Sequence, residues 1–167
     1  GGRLEGRLWR IPLVAIAAGW LAWVTMRFHA FGVEAQPVLD LIRRAEPHGR
    51  LLALVDNPGS QVAEGAPYLH YGMFYEIERA GVADFSTAED FPNHFRYRPE
   101  AEPALPLHIQ WEPRRFRWAA HGGDRYDYFL VRARDPRRFF AGARDPLELV
   151  GRAEGGWWLI HQTRAPR

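Results

Sequence analysis

The feature that most constrains this chain is an uncharged run of residues near its N-terminus, Ile11 to Met26, bounded by Arg10 and Arg27. As a helix the run would be about 24 Å long, slightly shorter than the ~30 Å hydrocarbon core of a membrane. The two flanking arginines can extend their side chains to the lipid interfaces. The pattern favours a transmembrane helix within residues 1–32, followed by a globular domain over residues 33–167.

Two other interpretations of this run stay open. A basic start, an apolar centre and the small residue Ala35 are also typical of a signal peptide. A run of this length can also be the core helix of a soluble protein. If it spans the membrane, the excess of arginines before it over the single acid, Glu5, predicts a cytoplasmic N-terminus and an extracytoplasmic domain.

Charge argues against nucleic acid as a partner. Of the 22 basic residues, four belong to the membrane end, which leaves 18 arginines against 19 acids in the rest of the chain. A nearly neutral domain lacks the basic surface that binds a phosphate backbone. We therefore predict no nucleic-acid partner.

Missing residue types exclude several reaction classes. The chain has no cysteine and no lysine, because all its basic residues are arginine. Thiol nucleophiles, zinc–thiolate sites and lysine-based catalysis are therefore excluded. Ser60 and Ser86 are the only serines, neither in a nucleophile-elbow sequence. The segment His121–Asp124 and the nearby Asp127 match no metal-ligand spacing. We predict no catalytic residue, no metal and no cofactor.

The order of apolar runs predicts an α/β fold. The near-continuous run Arg50–Val55 and the run 126–133 are typical of strands covered on both faces. We predict a three-layer sandwich with a mixed, mainly parallel sheet and an antiparallel C-terminal hairpin, preceded by one transmembrane helix. The predicted helices cover residues 33–46, 68–80 and 135–140; the further strands cover 82–85, 94–98, 147–153 and 157–162.

The first candidate ligand site follows the first core strand. In open α/β sheets ligands bind beyond the carboxyl ends of the strands, and the residues there suit a sugar hydroxyl or a phosphate. The alternative is structural: Asp56 and Asn57 form an Asx-turn and His70 packs within its helix. The candidate ligand-binding residues are Asp56, Asn57, Ser60, His70 and Tyr71.

The second candidate site is a basic, aromatic segment, Trp111–Trp118. Arginine guanidinium groups bind phosphate in pairs of hydrogen bonds, and aromatic rings suit the headgroup region of a membrane. In the alternative interpretation, the aromatic rings pack inward and the arginines are solvated. The residues predicted to contact a headgroup or phosphate are Arg114, Arg115, Arg117 and Trp118.

Several stretches together resemble a known family. They are an apolar strand ending in a turn, then PYLHYGMFYEIERAGVADFS, YDYFLVRA and EGGWWLIHQ. This order resembles the C-terminal extracytoplasmic domains of bacterial GT-C type membrane glycosyltransferases, which use dolichyl- or undecaprenyl-phosphate sugars. The resemblance covers nearly the whole chain.

That resemblance implies a non-catalytic domain. The catalytic acid of such enzymes lies in a loop between their first membrane helices, which this chain does not contain. It also implies further transmembrane segments upstream of Gly1 in the same protein, and a polyprenyl-phosphate sugar as a partner beside the lipid bilayer. The alternative is a stand-alone, membrane-anchored binding or interaction module.

Overall fold

A single long helix, α1 (Arg10–Ile42), joins the apolar segment to the globular part of the chain. The computed structural model describes residues 10–83, 109 and 112–163. The prediction that a separate helix begins near Val33 is wrong, because Pro37 lies inside α1 rather than in a first turn. Pro37 costs the helix one backbone hydrogen bond. Burial of Val38, Leu41 and Ile42 against the sheet offsets that cost.

The first half of α1 is long and apolar enough to cross a membrane. Its large apolar side chains, from Ile11 to Phe28, are exposed, and Phe28 is 73% exposed. This exposure contradicts the core-helix alternative within the described part of the chain. The packed half of α1 begins around Phe31, whose ring lies 5.3 Å from that of Tyr68.

The globular part is built on one five-stranded mixed sheet. Its spatial order is β2-β1-β3-β5-β4. The predicted α/β class is therefore confirmed, although the sheet is not mainly parallel. β1 pairs in parallel with β2 and β3, whereas β5 pairs antiparallel with β3 and β4. The short turn at 154–156 returns the chain beside β4, which makes that half of the sheet antiparallel. The strands are β1 (Arg50–Val55), β2 (Val82–Ala83), β3 (Tyr128–Arg132), β4 (Leu147–Ala153) and β5 (Trp157–Gln162).

Three of the predicted strands have their predicted bounds, namely β1, β4 and β5. β3 begins at Tyr128 and ends at Arg132, so it is shorter at both ends than the predicted run 126–133. The predicted strand at 94–98, and the last two residues of the one at 82–85, lie outside the described residues.

Alternate residues of β1 pack against opposite faces of the sheet. Leu51, Ala53 and Val55 face α1 together with Leu130 and Leu159. Leu52 and Leu54 face the other side, where the covering residues between 112 and 140 form three 3₁₀ turns. Both faces of β1 are therefore buried, as its continuous apolar sequence predicts.

The helix predicted over residues 68–80 is shorter and turned differently. A 3₁₀ turn (Tyr71–Met73) leads into a short helix, α2 (Phe74–Arg79). The apolar periodicity of this segment predicts that Ile77 is buried, but Ile77 is 75% exposed, whereas Tyr75 is fully buried. The Tyr75 hydroxyl donates a hydrogen bond to the Glu46 carbonyl at 2.6 Å. This buried polar contact orients the helix.

The glycine after this helix predicts a left-handed cap at Gly81, but the structure uses Gly81 for the packing of Tyr75 instead. Ala80 takes the left-handed conformation, with φ of 50°. A Cβ atom on Gly81 would lie 2.0 Å from Cε1 of Tyr75, so only glycine fits beside that ring.

Candidate functional site: an arginine-lined cleft

The carboxyl ends of three strands lie at one end of the sheet. Val55 of β1 is in register with Arg132 of β3. Arg132 is in turn in register with Trp157 of β5, and Trp157 is in register with Ala153 of β4. We call this end, with the residues that follow Val55, Arg132 and Ala153, the carboxyl edge. The opposite end, at Arg50, Tyr128 and Leu147, is the amino edge.

Asp56 is the centre of the carboxyl edge. Its Oδ1 accepts a hydrogen bond from Nε of Arg114 at 2.6 Å, and its Oδ2 lies 2.7 Å from Nη2 of Arg138. The Asp56 side chain is only 18% exposed. Arg114 and then Arg138 hold the pKa of Asp56 below its usual value despite this burial. Asp56 therefore stays ionised and fixes the positions of two arginines.

Beside Asp56 lies a cleft of about 750 Å³, which we call the arginine cleft. Four arginines and two aspartates give it an excess of positive charge. Its lining residues are Asp56, Arg134, Asp135, Pro136, Arg137, Arg138, Arg152 and Trp158.

The two aspartates of the cleft are already paired. Asp135 accepts hydrogen bonds from the Arg137 guanidinium at 2.9 and 3.0 Å and from the Arg137 backbone N–H at 3.0 Å. These bonds lower the pKa of Asp135 to about 2. The pair Asp135-Pro136 is typical of the capped start of a helix, but in the structure Asp135 closes the turn before a 3₁₀ segment, Arg137–Phe140.

Two arginines of the cleft keep their charge available. Within the described residues, neither Arg134 nor Arg152 forms an ion pair. The guanidinium carbon of Arg152 lies 3.8 Å from the ring centroid of Trp158, which holds that arginine at the cleft wall. The cleft thus offers two cations to an anion. Arg152 is held in place by Trp158, and Arg134 is exposed to solvent.

A second cavity, of about 390 Å³, adjoins the cleft through Arg138 and adds Arg114 and Arg117. Arg117 donates hydrogen bonds from Nη1 to the carbonyls of Arg114 and Phe116. Trp118 forms the buried wall of this cavity, and its indole N–H donates to Asp124 at 2.6 Å. Together the two cavities carry six arginines against two aspartates.

The structure brings together one residue from each predicted site, Asp56 and Arg114. The other members of the first predicted site have partners inside the fold. Asn57 accepts a hydrogen bond from the Gly59 backbone N–H, as in the Asx-turn alternative. Ser60 donates to Glu34 at 2.7 Å. Tyr71 is buried among aromatic rings.

The remaining predicted residues lie around the same end of the molecule in different settings. His70 is half-buried in the turn that precedes α2. Arg115 is exposed and pairs with Glu112 at 2.6 Å. Trp118 is buried, as the inward-packing alternative for this segment describes. The binding roles assigned to these residues stay predictions.

The sequence reasoning singled out none of the four arginines of the cleft: Arg134, Arg137, Arg138 and Arg152. The first three follow β3, so the rule that singled out Asp56 after β1 applies to them equally. Arg152 could not be found in this way, because its position depends on the pairing of β4 with β5.

Metal-ligating side chains are not clustered in the described ranges 10–83, 109 and 112–163, where no group of three or more histidines or acids is placed to hold a metal ion. Asp124 and Asp127, considered above with His121, accept hydrogen bonds from Trp118 and from the Arg50 backbone N–H.

Comparison of the chain with protein families, with curated proteins and with solved structures gives no match. The geometry of the cleft is therefore the basis on which a function can be proposed.

Proposed function

We propose that this chain is a membrane-anchored, non-catalytic domain that holds a phosphate-bearing ligand in the arginine cleft. The observation that carries the proposal is the excess of arginine over aspartate in the cleft at the carboxyl edge. Both aspartates are paired and ionised, so they position arginines without neutralising Arg134 and Arg152.

Phosphate suits this cleft better than a neutral ligand. The guanidinium group presents paired N–H donors that match phosphate oxygens, and it stays charged at all physiological pH values. Trp158 adds apolar surface to the wall of the cleft beside these donors.

Binding without turnover fits the same residues. The chain has no lysine or cysteine, and the hydroxyl of Ser60 is engaged with the Glu34 carboxylate. Arginine side chains bind and orient an anion but do not act as nucleophiles or bases at neutral pH.

The resemblance described above extends the proposal to a larger protein. We propose that the domain belongs to a polytopic GT-C type glycosyltransferase-like protein, lies on the extracytoplasmic side, and assists the binding of a polyprenyl-phosphate sugar or its acceptor. The proposed fold is the three-layer sandwich, with α1 and α2 on one face of the sheet and the 3₁₀ turns at 113–115, 123–125 and 137–140 on the other.

A stand-alone anchored module is the second candidate. One observation favours it: the cleft is lined entirely by residues 56–158 and α1 supplies an anchor. Anion binding by the cleft is common to both candidates.

Inorganic pyrophosphate tests the cleft directly. We expect it to bind the full chain in phosphatidylcholine nanodiscs, with amide NMR shifts at residues 134–138 and 152. Removing two arginine donors, in the variant Arg134→Gln with Arg152→Gln, should weaken binding about a hundredfold, because each hydrogen bond to a charged group contributes about 1.5 kcal/mol or more.

A matched control removes the same charge elsewhere. Arg50 and Arg144 are exposed and lie toward the amino edge, so Arg50→Gln with Arg144→Gln should leave the affinity unchanged. Equal losses in the two double variants, or no binding to the parent chain at millimolar pyrophosphate, would contradict the proposal.

A further inference from the structure

The direction of α1 fixes which end of the domain is nearer the membrane. Phe31 and Glu34 of α1 contact Tyr68 and Ser60, which follow the carboxyl end of β1. Beyond the other end of α1, the Glu46 backbone N–H donates to the hydroxyl of Tyr128, at the amino edge. α1 therefore runs opposite to β1 and β3, and its exposed apolar half projects beyond the carboxyl edge.

The length of the exposed half places the carboxyl edge at the lipid headgroups. From Ile11 to Phe28 a helix rises about 27 Å, close to the ~30 Å hydrocarbon thickness. Packing of apolar side chains against the domain starts at Phe31, only about 5 Å further along the helix. The headgroup layer is itself about 5–8 Å thick on each side.

Polar contacts hold the domain in this orientation on α1. The Glu34 carboxylate accepts hydrogen bonds from the hydroxyls of Ser60 at 2.7 Å and Tyr68 at 3.0 Å. It also accepts from the backbone N–H groups of Gln61 and Val62. Arg27 precedes Glu34 in α1 and lies closer to the membrane. Its guanidinium donates a hydrogen bond to the Val62 carbonyl. The loop after β1 is thus fixed to α1 at several points.

We infer that the carboxyl edge rests on the headgroup layer and that the arginine cleft receives the phosphate of an anionic phospholipid from the same leaflet. This inference rests on the proposed function, because it names the source of the anion for the same cleft. Six arginines against two paired aspartates line the cavities on this edge, and Trp158 lies among them. Cationic groups near a surface of anionic lipid attract its headgroups, and tryptophan is favoured at that depth.

At the amino edge the described arginines are interspersed with acids, among them Asp40, Glu78, Asp127 and Asp145. There Arg43 pairs with Asp40 and with Glu78, at 2.9 and 2.8 Å. An interaction that orients the domain on anionic lipid requires such a difference in charge between the two ends of the sheet.

Electron spin resonance of spin-labelled lipids provides the test. The full chain is reconstituted in phosphatidylcholine vesicles containing a trace of spin-labelled phosphatidylglycerol or spin-labelled phosphatidylcholine. We expect the relative association of phosphatidylglycerol to exceed that of phosphatidylcholine about fivefold, which is the effect of one arginine near an anionic lipid. The preference should fall in Arg134→Gln with Arg152→Gln, and also when pyrophosphate is added.

Arginines that flank the helix attract anionic lipids too, so the comparison between variants decides the outcome. Arg50→Gln with Arg144→Gln should keep the full preference. An equal preference for both lipids, or a preference that Arg134→Gln with Arg152→Gln leaves unchanged, would overturn the inference. If pyrophosphate still binds the cleft in that case, the proposed function stands and only the lipid source of the anion is wrong.

Discussion

Replacing Leu54 with alanine should lower the free energy of unfolding by about 2–5 kcal/mol, the range for a buried leucine whose cavity does not collapse. Leu54 lies in the central region of the sheet on β1 and is 0% exposed. β1 pairs with β3 from Leu51 to Val55 and with β2 at Arg50 and Leu51, so its backbone cannot easily shift to fill the space. Urea unfolding of the full chain in detergent micelles, followed by near-ultraviolet circular dichroism, measures the loss.

The matched control for Leu54 is a leucine on the edge strand β4. Leu149 is 46% exposed, so Leu149→Ala should cost less than about 1 kcal/mol. Equal losses for the two substitutions would mean that β1 is not the centre of the core.

Replacing Arg132 with alanine should also destabilise the domain strongly, by about 3 kcal/mol. Arg132 is only 7% exposed. Its guanidinium donates to the carbonyls of Gly59 at 2.6 Å and Gly155 at 3.0 Å, and its Cζ lies 4.4 Å from the ring centroid of Tyr68. Burial lowers the pKa of Arg132, although the group stays protonated. Its removal takes two charge-assisted hydrogen bonds from the loops that form the carboxyl edge.

Arg134 is the control for Arg132, because it has the same side chain two residues further along and is exposed. Arg134→Ala should change the free energy of unfolding by less than about 0.5 kcal/mol in the same urea experiment. A loss below about 1 kcal/mol for Arg132→Ala would show that Arg132 does not hold the two loops together.

The sequence predicts the sheet better than the helices, for a physical reason. A short strand that is buried on both faces requires an apolar residue at every position, and Leu51–Val55 is apolar throughout. In Tyr68–Ile77 the aromatic and apolar residues surround the helix, so periodicity alone does not show which face is buried. Tyr75 is buried in place of Ile77 because its hydroxyl bonds to the distant carbonyl of Glu46. No local sequence pattern contains such a tertiary contact.

The candidate site could be predicted only in part for a similar reason. Asp56 follows from its place after a buried strand, and the same rule reaches Arg134 and Arg138. Arg114 contacts Asp56 from 58 residues away in the sequence, so their pairing needs the folded chain. Arg152 depends on the register of β4, which contains a shift between Leu149 and Gly151.

If α1 holds the carboxyl edge, with its arginine cleft, against the membrane, residues at that edge lie nearer the lipid headgroups than residues at the amino edge. Because the chain has no cysteine, single spin labels can be attached at Glu154→Cys, on the carboxyl edge, and at Glu46→Cys, toward the amino edge. The six residues of a strand such as β1 separate these ends by about 17–20 Å. In vesicles that carry gadolinium-chelating headgroups, we predict strong relaxation of the label at 154 and weak relaxation of the label at 46. Equal relaxation of the two labels, or stronger relaxation at 46, would contradict the account.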